Sequence, residues 1–357
     1  MSNTGTLPAS QYSLGVKAKR AIELARKQVA EAIGAETSEI TFTSGGSETN
    51  CWILRSALEA CGNAPKHIIT SSIEHHSVLN ACHALERDGT EVTYLPVDSS
   101  GMVSVADVKT AIKPHTKLVT IMLANNEIGT IQPIAQIAQL LHDAGILFHT
   151  DAVQAVGHIP VNVKELGIDF LTASAHKFGG AKGTGILYKR TGVELSPLVF
   201  GGEQERGLHA GTENVAGIVS MGCAIEEYVN SLTADSDRLR TLVKATVDGI
   251  KAKIPSVRVN GDTACQLPGT VNLGFDGVSG EALMNLFDLK GICVSTSSAC
   301  NSGKDEPSHV LIALGQTEQQ AKSAIRISYG KDNTISEAET IATVVCNAYY
   351  KIKVKLD

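Results

Sequence analysis

Between residues 40 and 189 the chain repeats one pattern: a short apolar run, a turn, a stretch that reads as a helix, then another apolar run. The runs are carried by EITFTSGG, HIITSS, EVTYLPV, LVTIMLA, ILFHTDA, FLTASA and GTGILYK. Runs of that length bounded by turn residues fit buried strands, and their alternation with helices predicts an α/β domain around a largely parallel sheet. In such a sheet ligands gather at the C-terminal ends of the strands. Ahead of the first run, residues 16 to 33 carry apolar positions at helical spacing, and Gly34 supplies a cap. After about residue 225 the texture changes to a long polar helix over AIEEYVNSLTADSDRLRTLVKATVDGIKAKI, then strands around RVNG, TVNLGF and AIRISYG. The expected organisation is a large domain over 13–228 and a smaller α+β domain over 229–357, the latter joined by residues 1–12.

Composition narrows the function classes. The chain has 357 residues, 43% hydrophobic and 19% charged, which is enough to bury two unequal cores and to build an enzyme. A net charge of -6 argues against a nucleic-acid surface, because phosphate binding draws on clustered lysine and arginine. No apolar signal core opens the sequence and no window approaches a membrane span, so the expected location is the cytoplasm. Eight cysteines show neither CxxC pairs nor disulfide density, and no ligand spacing points to a metal.

Candidate chemistry collects at the predicted strand ends. Lys177 in SAHKFGGAKGTG follows a strand and precedes a glycine-rich segment whose backbone can approach a ligand closely. A lysine so placed can form a Schiff base with an aldehyde cofactor, and burial there would free its amine. Asp151, 26 residues upstream, ends its own strand in ILFHTDAVQAVG. It reads equally as a helix N-cap or as the carboxylate that keeps a pyridine nitrogen protonated; Gln154, three residues on, favours the second. Gly46 and Ser47 in TSGGSETN stand at a predicted helix start, where free N–H groups and the dipole attract phosphate. Ser174 and His176 add polar side chains beside Lys177, and His75 in SIEHHSV offers an imidazole suited to stacking and proton transfer. Asn126 in LANNEIG is either a turn former or a polar ligand, and Arg326, closing a strand in AIRISYGK, either a salt-bridge partner or a carboxylate clamp. Cys300 lies among small and polar residues in SSACNSGKDEPSHVL, an exposed setting that marks it as the reactive thiol.

The set SGGSETN, EHHSV, NNEIG, DAVQAVG, SAHKFGG, ERGLHAGTEN, SSACNSG, EPSHVL and RIS resembles the cysteine desulfurases of the NifS/IscS type, within the fold-type I pyridoxal-phosphate enzymes. The resemblance runs in order over almost the whole chain, and the long segment after Cys300 is similar to the group with an extended catalytic loop, here about 296–310. It implies a large domain with a mostly parallel seven-stranded sheet and pyridoxal 5′-phosphate as cofactor. It implies too that Lys177 holds that cofactor, Asp151 and Gln154 bond its ring, and His75 stacks on it. Gly46, Ser47, Ser174 and His176 would take its phosphate, with Thr212 reaching in from the partner of a homodimer. Asn126 would bond the ring side and, with Arg326, bind the carboxylate of L-cysteine; Cys300 would receive the sulfur as a persulfide. Delivery to an iron–sulfur scaffold or tRNA-thiolation acceptor follows from the resemblance, with no role for membrane or direct nucleic-acid contact.

Three departures from the family pattern stand out. About 25 to 30 residues that normally precede LPASQYSLG, beginning Asp-Asn-Ala-Ala-Thr-Thr, have no counterpart here; Tyr12 stands where a histidine is usual, and His209 where an arginine is. They suggest, as alternatives to the desulfurase, a weakly active or non-catalytic relative acting through partner binding. Another lyase of the same fold, such as a selenocysteine lyase, shares Lys177 and Asp151 but leaves the SSACNSG loop without a reason.

Overall fold

The computed structural model describes residues 12–59, 62, 64–296 and 306–354. Two compact units divide the chain. The first comprises residues up to Leu95 together with Val105–Leu123 and Gln132–Leu232; the second comprises Pro96–Ser104, Ala124–Ile131 and the chain from Thr233 onward. The division therefore differs from a single cut at 228/229, because two short excursions inside the first segment belong to the second unit. Asn126 lies in one of them.

The first unit is built on seven strands: β1 (Ile40–Thr43), β2 (His67–Ser71), β3 (Glu91–Leu95), β4 (Thr116–Thr120), β5 (Leu147–Asp151), β6 (Phe170–Ser174) and β7 (Gly185–Lys189). They lie in the order β1-β7-β6-β5-β4-β2-β3. Five of them, β3 to β6 through β2, run parallel, while β7 is antiparallel to both its neighbours. Every residue of the internal strands β2 and β6 is buried, as is every residue of edge strand β1, whereas the other edge strand, β3, is half open. That is why the internal strands read as continuous apolar runs rather than as alternation.

Helix α1 (Ser13–Ala32) buries Ala18, Ile22, Ala25 and Val29 at a three-to-four-residue spacing, and Gly34 behind it adopts φ +70°, as a left-handed cap requires. Helix α2 (Gly46–Glu59) follows β1 and buries Trp52, Ile53 and Leu54 completely; α3 (His76–Arg87) follows β2. The turn between β1 and α2 fits only glycine. A Cβ on Gly46 would stand 2.7 Å from Val153, and one on Gly185 would stand 2.6 Å from the Cα of Gly45.

The second unit carries the antiparallel sheet β10-β11-β9-β8, formed by β8 (Arg258–Asn260), β9 (Thr270–Gly274), β10 (Ser295–Thr296) and β11 (Ala324–Ser328). Leu273, Phe275, Leu283, Phe287 and Ile325 form its fully or almost fully buried core. The expected strands over RVNG, TVNLGF and AIRISYG are present; the two-residue β10 is an addition that no apolar run announces. The long polar helix begins earlier than its sequence texture suggests, spanning Val215–Lys251.

Candidate active site

At or beyond the C-terminal ends of its strands the first unit carries Asp151, Gln154, Lys177, His75, Ser47, Ser174 and His176, seven of the polar residues that the sequence singles out. Asp151 is the last residue of β5 and 5% exposed. Its Oδ1 accepts the N–H of Val153 at 2.9 Å and its Oδ2 the amide of Asn50 at 2.7 Å. Burial pushes the carboxyl upward, against the pull of those two donors and of nearby His75 and Lys177. A buried carboxylate in that condition is suited to a cationic N–H partner, which would repay its lost hydration.

Lys177 stands in the short helical turn Ala175–Phe178 that leaves β6, half-buried. The lysine's charge acts on Asp151, His75 and His158 alike, so these groups share one neighbourhood. His75 caps the N-terminus of α3 with its own ring: Nδ1 accepts the Ser77 N–H at 3.1 Å and bonds Ser77 Oγ at 2.8 Å. Burial first, then the charges of His76 and Lys177, hold this imidazole below its ordinary value, with Asp151 opposing them. Gln154 sits half-buried in the turn beyond β5.

Gly46, Ser47, Ser174 and His176 line one cavity of about 380 Å³, with Glu48 and Lys182 on its wall. Ser174 Oγ and His176 Nδ1 are 2.9 Å apart. Glu48 braces the turn by accepting from Ser44 N at 2.9 Å and Ser44 Oγ at 2.8 Å. The cavity opens to solvent, and its lining joins the start of α2 to the hydroxyls of Ser47 and Ser174, His176 and Lys182. Hydroxyls, an imidazole and a lysine beside a helix start are the chemistry that a phosphate calls for. His209, where an arginine was expected, bonds Glu48 Oε1 at 3.1 Å and packs edge-on against Trp52, so the segment leading to exposed Thr212 is tied to the same turn.

The second unit brings Asn126 and Arg326 together: Arg326 Nη1 donates to the Asn126 carbonyl at 2.7 Å. Arg326 occupies the centre of β11, paired with Asn272, rather than the strand's end, a correction to the reading of AIRISYG. Its Nε is buried with no hydrogen-bond partner among the described residues, which leaves the guanidinium with donors in reserve. Asn126 is presented by a turn that Asn125 ties, its Oδ1 accepting from Glu127 N and Ile128 N at 2.8 and 3.0 Å. Cys300 lies outside the described residues.

Two polar residues of the first unit escape a reading by strand ends. Asn50, inside α2, and Ser77, inside α3, link Asp151 to His75, but within a helix each reads as an ordinary polar position. Helical spacing offered a clue, since Asn50 lies one turn after Gly46 on the side that turns toward the sheet.

Residues 2–341 match the model of the family described as aminotransferase class-V. A protein named cysteine desulfurase IscS from Clostridium botulinum (strain Hall / ATCC 3502 / NCTC 13319 / Type A) is 46% identical over 340 residues, which cover 95% of this chain and 86% of that one. The cysteine desulfurase IscS of Methanosarcina thermophila is 47% identical over 346 residues, covering 97% and 85%. Among solved structures, one titled NIFS-like protein superposes with a TM-score of 0.91 at 37% identity, over 97% of this chain and 92% of its own. By sequence and by fold, this chain belongs to the class-V aminotransferase family.

Proposed function

We infer that this protein is a cysteine desulfurase, a sulfurtransferase that uses pyridoxal 5′-phosphate to take the sulfur of L-cysteine and leave L-alanine. The observation that carries the reading is the first unit's cluster, in which buried Asp151 and half-buried Lys177 and His75 act on one another at or beyond the ends of β5, β6 and β2. The names of relatives that share nearly half the sequence support the choice of reaction. Neither a selenocysteine lyase nor a non-catalytic binding role is favoured by them.

Asp151 would take the ring N–H, Gln154 the phenolic oxygen, and Lys177 would tether the aldehyde carbon through Nζ. Gly46, Ser47, Ser174 and His176 would hold the phosphate, joined by Thr212 of a second copy in a homodimer. When bound, the cofactor supplies the electron sink for bond breaking at the substrate's α-carbon. Lys177 then serves as the base that moves the α-proton, with His75 against the ring face. Arg326 uses its reserve donors on the substrate carboxylate, beside Asn126. The Cys300 thiolate attacks the substrate's sulfur, an S–S bond forms as the carbon–sulfur bond breaks, and the electron pair released to carbon takes up a proton to complete alanine. The resulting persulfide passes to an iron–sulfur scaffold or a tRNA-thiolation acceptor in the cytoplasm; none of the described helices is long and apolar enough to cross a membrane.

The test is turnover of L-cysteine by the cofactor-loaded protein in the presence of a thiol reductant, with alanine and sulfide measured together. Equal yields of the two are expected from the natural chain, and loss of about 100-fold or more from Cys300→Ala. Full activity in that variant would exclude the persulfide role. Absence of alanine from the natural chain would sink the desulfurase reading itself.

A further inference from the structure

Asn50 is the most constrained side chain near Asp151 and has no assigned role. It is fully buried, and its single amide nitrogen donates to two acceptors, Asp151 Oδ2 at 2.7 Å and Ser77 Oγ at 2.9 Å. Its Oδ1 is buried without a partner among the described residues. A buried amide carbonyl left unsatisfied is costly, so this orientation is held by what the nitrogen does. Facing a carboxylate, the amide must present N–H, and its second hydrogen then points at Ser77 Oγ. The Ser77 backbone N–H can only donate, so His75 Nδ1 accepts it, and Ser77 Oγ, which accepts from Asn50, gives its own hydrogen to the same nitrogen. Two donors aimed at one ring nitrogen require it to be unprotonated. The neutral imidazole of His75 therefore carries its proton on Nε2.

We propose that Asn50 is a positioning residue that aims the Asp151 carboxylate at the cofactor's ring nitrogen and, by bonding Ser77 Oγ, keeps that hydroxyl donating to His75 Nδ1, which supports the tautomer with the proton on Nε2. The proposal rests on the pyridoxal-phosphate reading above, because the ring N–H is what the Asp151 carboxylate would meet. It also divides the proton chemistry. A neutral histidine locked in this form is a hydrogen-bond donor at Nε2, so abstraction of the substrate's proton falls to Lys177.

The test compares cofactor binding to apoprotein for pyridoxal 5′-phosphate and for its 1-deaza analogue, in which CH replaces the ring nitrogen. Asn50→Leu is expected to weaken pyridoxal 5′-phosphate roughly 10- to 100-fold while changing the analogue less than about 2-fold, since only the first presents an N–H to Asp151. Equal loss for both would mean that Asn50 merely supports the fold, and no loss for either would remove its role; each outcome overturns the proposal. A natural chain that binds neither ligand would instead defeat the cofactor reading. The tautomer is read separately by ¹⁵N shifts of the ring nitrogens in histidine-labelled protein, with His75→Gln for assignment. Nε2 protonated in the natural chain, with a protonated Nδ1 fraction emerging in Asn50→Leu, is the expected result. Should that variant not fold, Ser77→Ala carries the test, with the same change at His75 and no more than about a 2-fold effect on pyridoxal 5′-phosphate affinity. A proton on Nδ1 in the natural chain, or His75 signals unmoved by both variants, would overturn the link.

Discussion

Asp151 shows how one residue's meaning depends on its depth. At the surface it would be a helix cap; at 5% exposure, with its charge opposed by burial and supported by Asn50 and Val153, it is a carboxylate that needs a cation. Asp151→Ala is accordingly expected to lower pyridoxal 5′-phosphate affinity by about 10- to 1,000-fold, whereas Asp151→Glu should lose less, both read by titration of apoprotein. Lys177, Asp151 and His75 were legible in the sequence because a polar residue just past an apolar run is unusual and strand ends converge. Asn50 and Ser77 were not. Their bonds cross 101 and 27 residues of chain, and helical polar positions are ordinarily solvated. His209 is intermediate: its departure from the family was visible, but its bond to Glu48, and so its hold on the turn before α2, was not.

At the level of elements, the turn between β1 and α2 is the piece on which the proposed phosphate site depends. Its geometry is set by the adjoining strand, where Gly185 of β7 lets the backbone of Gly45 come close. A methyl at residue 185 would meet two backbone atoms, Gly45 Cα at 2.6 Å and Ala173 O at 2.8 Å, neither of which can rotate away. Gly185→Ala should therefore cost about 1–3 kcal/mol of stability, seen as a lower urea midpoint. It should also weaken pyridoxal 5′-phosphate more than phosphate-free pyridoxal. The strands themselves were legible, because those inside a parallel sheet are apolar throughout. Their order was not: β1 pairs with β7, the last strand of the series, a register across more than 140 residues that no local pattern encodes.

At the scale of the molecule, buried titratable groups in the first unit set how stability responds to pH. Glu74 is fully buried, accepts from Ser71 Oγ at 2.6 Å and Met122 N at 3.0 Å, and is pushed up to about 8 by burial. Between the ordinary 4.5 and about 8, the folded chain keeps a proton there that the unfolded chain gives up, so this group makes stability fall as pH rises. His67 and His149 act in the opposite sense. Burial holds them to about 4 and about 3, the unfolded chain takes a proton that they refuse, and stability falls as pH drops below 6.5. Replacing Glu74 with glutamine keeps the acceptor for both donors and removes the titration. The stability of Glu74→Gln relative to the natural chain should grow by about 2 kcal/mol between pH near 6 and near 8, measured by denaturant unfolding at each pH. A constant difference would show that Glu74 does not hold its proton in the fold.

The sequence by itself determined the class of architecture, the helix-and-strand alternation and the strand-end lysine and aspartate, because each is written in short-range pattern: apolar runs, turn glycines, polar residues where the runs stop. Only the tertiary structure decided the order of the strands, the assignment of 124–131 to the second unit, the meeting of Arg326 with the Asn126 carbonyl, and the path from Asp151 through Asn50 and Ser77 to His75. The physical reason is common to all four. Hydrogen-bond partners and buried neighbours are chosen by proximity after folding, and proximity between residues tens to hundreds of positions apart leaves no periodic trace in the chain.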